Sequence, residues 1–161
     1  MMDLYQDEVL RLLQAFKKNR VEYLIVGGFA INKYGYHRAT GDVDFYVKDS
    51  INNRRNLVNA LEEMKYGRME ELLTVPIIVG YCEIVMDNGM YADLMSEVPG
   101  LPKEDFDKHY EMALTEKVNG VEIRFIHYNH LIQNKRATGR PKDLLDVQEL
   151  ERINGSFPLS P

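Results

Sequence analysis

Tyr23-Leu24-Ile25-Val26-Gly27-Gly28-Phe29-Ala30 and, after a polar connection, Arg38-Ala39-Thr40-Gly41-Asp42-Val43-Asp44-Phe45-Tyr46-Val47 carry the densest information in this chain. The run Val21 to Val26 is β-branched and aromatic and too short for a helix, so it predicts a buried strand. Gly27-Gly28 breaks it, and Phe29 to Tyr34 predicts a short helix closed by Gly35. A strand that ends in two glycines and opens a helix leaves bare backbone N–H groups at a helix start, a good place for phosphate oxygens. Alone, such a pair is equally the mark of a tight turn. Asp42 to Val47 alternates strictly, with Asp42, Asp44 and Tyr46 on one face and Val43, Phe45 and Val47 on the other. Two carboxylates that close repel each other unless a cation lies between them. Mg²⁺ takes such oxygen ligands together with substrate phosphates. An isolated Asp-x-Asp is also the polar face of an edge strand. The apolar flanks and the glycine turn ahead of it favour a metal pair, with Mn²⁺ as the alternative ion.

Outward from this stretch, Val9, Leu12, Leu13 and Phe16 fall at helical spacing, and Asn19-Arg20 ends that helix. Ser50 can cap a helix whose apolar positions are Leu57, Val58, Leu61 and Met64. Leu72 to Met86 reads as extended, with Pro76 and Gly80 marking an irregular or edge segment. After the turn Asp87-Asn88-Gly89, Met90 to Met95 alternates again and places Tyr91, Asp93 and Met95 on one face. Lys103 to Ala113 predicts a helix. Asn119-Gly120 predicts a hairpin between Leu114–Val118 and Val121–Ile126. Tyr128 to Ala137 and Lys142 to Ile153 predict two more helices, divided by Thr138-Gly139-Arg140-Pro141. The pattern is α+β, a mixed β-sheet with helices packed on it, in a single domain over residues 1–153 with a flexible tail over 154–161.

Composition narrows the classes. The chain has 161 residues, 45% hydrophobic and 28% charged, enough for one core. Its net charge of -5 argues against strong general nucleic-acid binding, which rests on Lys and Arg neutralising phosphates. A single cysteine, Cys82, in an apolar run predicts a small core residue. No run approaches a bilayer span and the first residues lack a signal-peptide pattern, so the expectation is a cytoplasmic protein with no membrane partner. His127 and His130 lie three apart, but with no third ligand evident a surface or capping role is expected.

The order apolar strand, Gly-Gly, short helix, Arg38-x-Thr40, then apolar-flanked Asp42-x-Asp44 resembles the nucleotidyltransferase superfamily that includes DNA polymerase beta. It is most similar to minimal bacterial members, the abortive-infection and toxin–antitoxin types among them. The stretch Leu131-Ile-Gln-Asn-Lys135-Arg-Ala-Thr-Gly139-Arg140-Pro-Lys142-Asp143-Leu-Leu-Asp146 resembles their C-terminal signature. Physically, Lys135, Arg140 and Lys142 bring positive charge near a helix start, as a triphosphate requires. Equally they form a solvated basic loop, with Asp143 complementing the helix dipole.

The resemblance implies a metal-dependent enzyme that moves a nucleoside monophosphate from a nucleoside triphosphate to an acceptor hydroxyl. Asp42 and Asp44 would be metal ligands and catalytic groups. A third carboxylate is implied on a neighbouring strand: Asp93 fits, with Glu83 as its competitor. Gly27, Gly28, Arg38, Thr40, Lys135, Arg140 and Lys142 would contact the nucleotide. The acceptor is a small molecule, a protein or an RNA, and nothing in the sequence chooses among them. Many members have Gly-Ser where this chain has Gly27-Gly28, which removes one phosphate-binding hydroxyl. The alternative is therefore a nucleotide-binding regulatory or antitoxin-type module that serves a partner protein without turnover.

Overall fold

The computed structural model describes residues 7–74 and 81–155, so the expectations for residues 1–6, for Pro76 and Gly80, and for residues 156–161 lie outside the described residues. The elements are α1 (Asp7–Lys18), β1 (Tyr23–Val26), α2 (Gly27–Lys33), β2 (Asp42–Val47), α3 (Ile51–Glu63), α4 (Glu71–Thr74), β3 (Tyr81–Val85), β4 (Tyr91–Met95), α5 (Phe106–Glu111), β5 (Leu114–Val118), β6 (Val121–Phe125), α6 (Tyr128–Thr138) and α7 (Pro141–Asn154). The strands form one mixed sheet in the order β3-β4-β2-β1-β6-β5. The fold is α+β, as the sequence predicts. None of the described helices is long and apolar enough to cross a membrane.

Local chemistry explains the joints. Ser50 accepts a hydrogen bond from the Asn53 N–H at 3.2 Å, closing the start of α3. Asn119 and Gly120 both take positive φ, as the two-residue turn joining β5 to β6 demands. Pro141 opens α7, and the Asp143 side chain reaches back to the Arg140 backbone at 3.3 Å. Several boundaries differ from expectation: α2 already starts at Gly27, and α5 spans only Phe106–Glu111. Leu72 to Thr74 is not extended but lies in the short helix α4, and Asn154, expected in the tail, is the last residue of α7.

β1 lies between β2 and β6 and is buried along its whole length, which is why its four residues are all apolar or aromatic. One sheet face packs on α1 and α3 through Leu13, Phe16, Val43, Phe45, Leu57 and Leu61. There the rings of Phe16, Tyr23 and Phe45 meet at tilted angles with centroids 5.2 to 5.5 Å apart. The opposite face packs on α2, α5, α6 and α7 through Leu24, Ile31, Tyr46, Phe106, Leu131 and Leu150.

That second helical layer stops short. On β3 and β4 the first face buries Ile84, Ala92 and Leu94, whereas Tyr81, Val85 and Tyr91 on the opposite face are exposed. Asp44 and Asp93 face the line where cover ends. Tyr46 shares their face by alternation, yet it is buried beneath Phe106, so β2 is polar only at its beginning.

Candidate active site

The glycine pair seats two side chains. Gly27 has φ +67°, a conformation side chains rarely adopt, and a Cβ there would stand 2.0 Å from Asp44 Oδ2. A Cβ on Gly28 would meet Thr40 Oγ1 at 2.5 Å. The bare backbone expected at this turn is therefore what lets Asp44 and Thr40 pack against it. Asn32 of α2 fixes the loop that follows: it accepts from the Arg38 N–H at 3.0 Å and donates to the Arg38 carbonyl at 3.1 Å.

Strand register aligns the carboxylates. Val26, Asp44, Asp93 and Glu83 are successive cross-strand partners on β1, β2, β4 and β3. Asp93 lies beside Asp44, and Glu83 lies one strand further out at the sheet edge. Burial pushes the Asp44 carboxyl up to about 7, and the negative charges of Asp93 and Asp42 add to that effect, with Lys135 opposing it. Asp93 is also raised, first by burial and then by Asp42 and Glu83; a hydrogen bond from the Tyr81 hydroxyl at 3.0 Å works the other way. Among the described residues, no three or more His, Cys, Asp and Glu side chains are already gathered as a metal cage.

Across from Asp44 stands a wall of paired charges. Arg38 grips Asp146 with Nε at 2.8 Å and Nη2 at 3.0 Å. The Lys135 ammonium lies 3.1 Å from Asp146 and 3.2 Å from Asp143. Arg140 closes on Asp143 with Nε at 2.6 Å. Burial alone would raise Asp143, but the hydrogen bonds from Arg140 and Lys135 outweigh it and hold the carboxyl well below the usual range. Both cations are thus paired, Lys135 in a buried position and Arg140 with its side chain 70% exposed. Asp143 both caps α7 and anchors them.

Every site residue expected from the sequence except Asp93 lines one cleft of about 280 Å³, Lys142 at its rim included. Asp93 sits beyond Asp44 and outside that cleft, 6% exposed and hydrogen-bonded by the Tyr81 hydroxyl. Two contributors were not singled out in the sequence. Asp146 follows Asp143 by three residues on α7, a spacing that puts both on one helix face and offered a signal. Tyr81 offered none, because its bond to Asp93 depends on which strands become neighbours. His127 caps α6, accepting from the Asn129 N–H at 3.1 Å, and Cys82 packs beside the core.

Over residues 4–155 the chain matches the family described as nucleotidyltransferase of unknown function (DUF6036). No curated protein matches it. Among solved structures, a lincosamide antibiotic adenylyltransferase, LnuA, with lincomycin bound, superposes with a TM-score of 0.60 at 15% identity, covering 94% of this chain and 99% of that one. A candidate nucleotidyltransferase from Thermotoga maritima gives the same score and identity, covering 94% of this chain and 96% of its own. At such identity the likeness concerns the fold.

Proposed function

The chain belongs to this family of nucleotidyltransferases, and we propose that it transfers a nucleoside monophosphate from a nucleoside triphosphate to an acceptor hydroxyl. The observation that carries the proposal is the placement of Asp44 beside Asp93 on paired parallel strands, opposite the Lys135 wall of one cleft.

The donor set fits a hard divalent cation. Asp42, Asp44 and Asp93 offer only carboxylate oxygens, the ligands Mg²⁺ and Mn²⁺ prefer. The mutual repulsion that raises Asp44 is the kind a cation relieves. Asp42 and Asp44 would hold the ion, with Asp93 sharing it. When bound, it supplies positive charge to the α-phosphate and the departing pyrophosphate.

The chain's own groups do the rest. Lys135, Arg38, Arg140 and Lys142 receive the triphosphate, with Thr40 and the Gly27-Gly28 turn beside them. Asp93, next to Asp44 in the carboxylate row, takes the proton of the acceptor hydroxyl. The acceptor oxygen then attacks the α-phosphorus in line and pyrophosphate leaves toward the basic wall. Positioning and preset charge account for such catalysis.

The test is incubation of the protein with Mg²⁺ and each labelled nucleoside triphosphate against hydroxyl acceptors of small-molecule, protein and RNA type. The fold shared with a lincosamide adenylyltransferase places an antibiotic hydroxyl in that panel. Pyrophosphate release that disappears in Asp44→Asn supports the proposal. Tight nucleotide binding with no release against any acceptor would point instead to a non-catalytic module serving a partner protein.

A further inference from the structure

Asp146 touches the cleft only through other residues. Its carboxylate is 1% exposed, and both oxygens are taken by Arg38, whose side chain is 16% exposed. Oδ2 also lies 3.1 Å from the Lys135 ammonium. Arg38 and Asp146 are 108 residues apart in the chain, so this contact ties the loop before β2 to α7. Two buried cations cannot share so small a space without an anion between them. Asp146 is that anion for Arg38 and Lys135, as Asp143 is for Lys135 and Arg140.

The pairing leaves a defined edge of Arg38 free of carboxylate. Among the described residues, its Nη1 makes one long 3.3 Å contact, to the Ala39 carbonyl. That nitrogen lies 3.4 Å from where a Gly28 Cβ would be, so it faces the glycine turn. A guanidinium held by two bonds to one carboxylate is fixed in plane and direction, which a single-point contact does not achieve.

We propose that Asp146 is a positioning residue for the nucleotide's phosphates, acting through Arg38 and Lys135. The inference rests on the nucleotidyl-transfer reading and adds to it a residue that never meets the substrate. Neutralising Asp146 frees the Arg38 fork to rotate and sets it against Lys135, so phosphate affinity falls although positive charge in the cleft rises. A simple count of charges predicts the opposite sign.

The test measures, by calorimetry with Mg²⁺, the binding of inorganic tripolyphosphate, the four nucleoside triphosphates and their monophosphates. The proteins are wild type, Asp146→Asn, Arg38→Lys and the double variant, each with its melting midpoint. Asp146→Asn is expected to weaken triphosphate binding about 10- to 100-fold, and the monophosphates far less. The double variant should lose less than the product of the two single losses, because both changes remove the Arg38–Asp146 contact while only Asp146→Asn removes the Lys135–Asp146 pair. If Asp146→Asn does not fold, Asp146→Glu, which keeps the charge but shifts both oxygens relative to Arg38, must still weaken triphosphate binding more than monophosphate binding. Unchanged or tighter triphosphate binding in Asp146→Asn overturns the inference, as do losses that multiply fully in the double variant. Wild-type protein that binds no triphosphate at all overturns the nucleotidyl-transfer reading itself, and this inference with it.

Discussion

The carboxylate of Asp44 occupies the space a side chain at residue 27 would need: a Cβ on Gly27 would stand 2.0 Å from Asp44 Oδ2. Gly27→Ala therefore carries two penalties, the clash and a φ of +67°. Expected are a stability loss of about 1–3 kcal/mol and a fall in transfer of about a hundredfold or more as Asp44 is displaced. Gly41→Ala is the control: nothing lies within 4 Å of its Cβ, and stability should change by less than about 0.5 kcal/mol. Equal melting midpoints for the two variants would refute the close-contact account.

Much of this arrangement is legible in the sequence, because it is local. Alternation puts Asp42 and Asp44 on one face, and Asn119-Gly120 announces its own turn. What is not local was less legible. The choice between Asp93 and Glu83 as neighbour of Asp44 is made by strand order, which puts β4 and not β3 next to β2. Tyr46 obeys the alternation yet is buried, because α5 arrives from far along the chain to cover it. Lys135 and Arg140 read as free positive charge because their anions are fixed only when α6 folds against α7.

Crowded carboxylates set function against stability. Burial and its acidic neighbours push Asp44 up to about 7, so its folded value is raised. Such a group contributes stability at low pH, and that contribution is lost as pH rises through the folded value. Asp44→Asn removes the penalty. Without divalent cation the variant's gain in melting midpoint over wild type should be larger at pH 8 than at pH 5 and vanish below about pH 4, while pyrophosphate release falls about a thousandfold or more. A variant that is less stable at pH 8 would show that the carboxylates are not in conflict.

Tyr81 donates to Asp93 at 3.0 Å, and that bond lowers a carboxyl which burial otherwise raises. Tyr81→Phe should raise Asp93 further and move the acid limb of the pH profile of kcat/KM to higher pH. At alkaline pH, where Asp93 is ionised in both proteins, turnover should remain within about tenfold. An acid limb that stays in place would mean that the Tyr81–Asp93 hydrogen bond does not tune the base of the reaction.

His130 of α6 packs against His109 of α5 with ring centroids 4.5 Å apart, and Nδ1 of each finds no hydrogen-bond partner among the described residues. Burial, the neighbouring His109 and His127, and Lys108 together lower His130 from its ordinary 6.5 to about 4. Because the folded value is depressed, the unfolded chain takes up a proton between these two values and the folded one does not. The His130 contribution should be complete above about pH 6.5 and decline down to about pH 4, by roughly 1–3 kcal/mol, opposite in sign to that of Asp44 over the same range. Denaturant unfolding across that range measures it, with His130→Gln as the comparison. The variant should show a shallower decline than wild type. Parallel curves for the two proteins would mean that His130 is not held neutral by the α5–α6 contact, and that the acid sensitivity arises elsewhere.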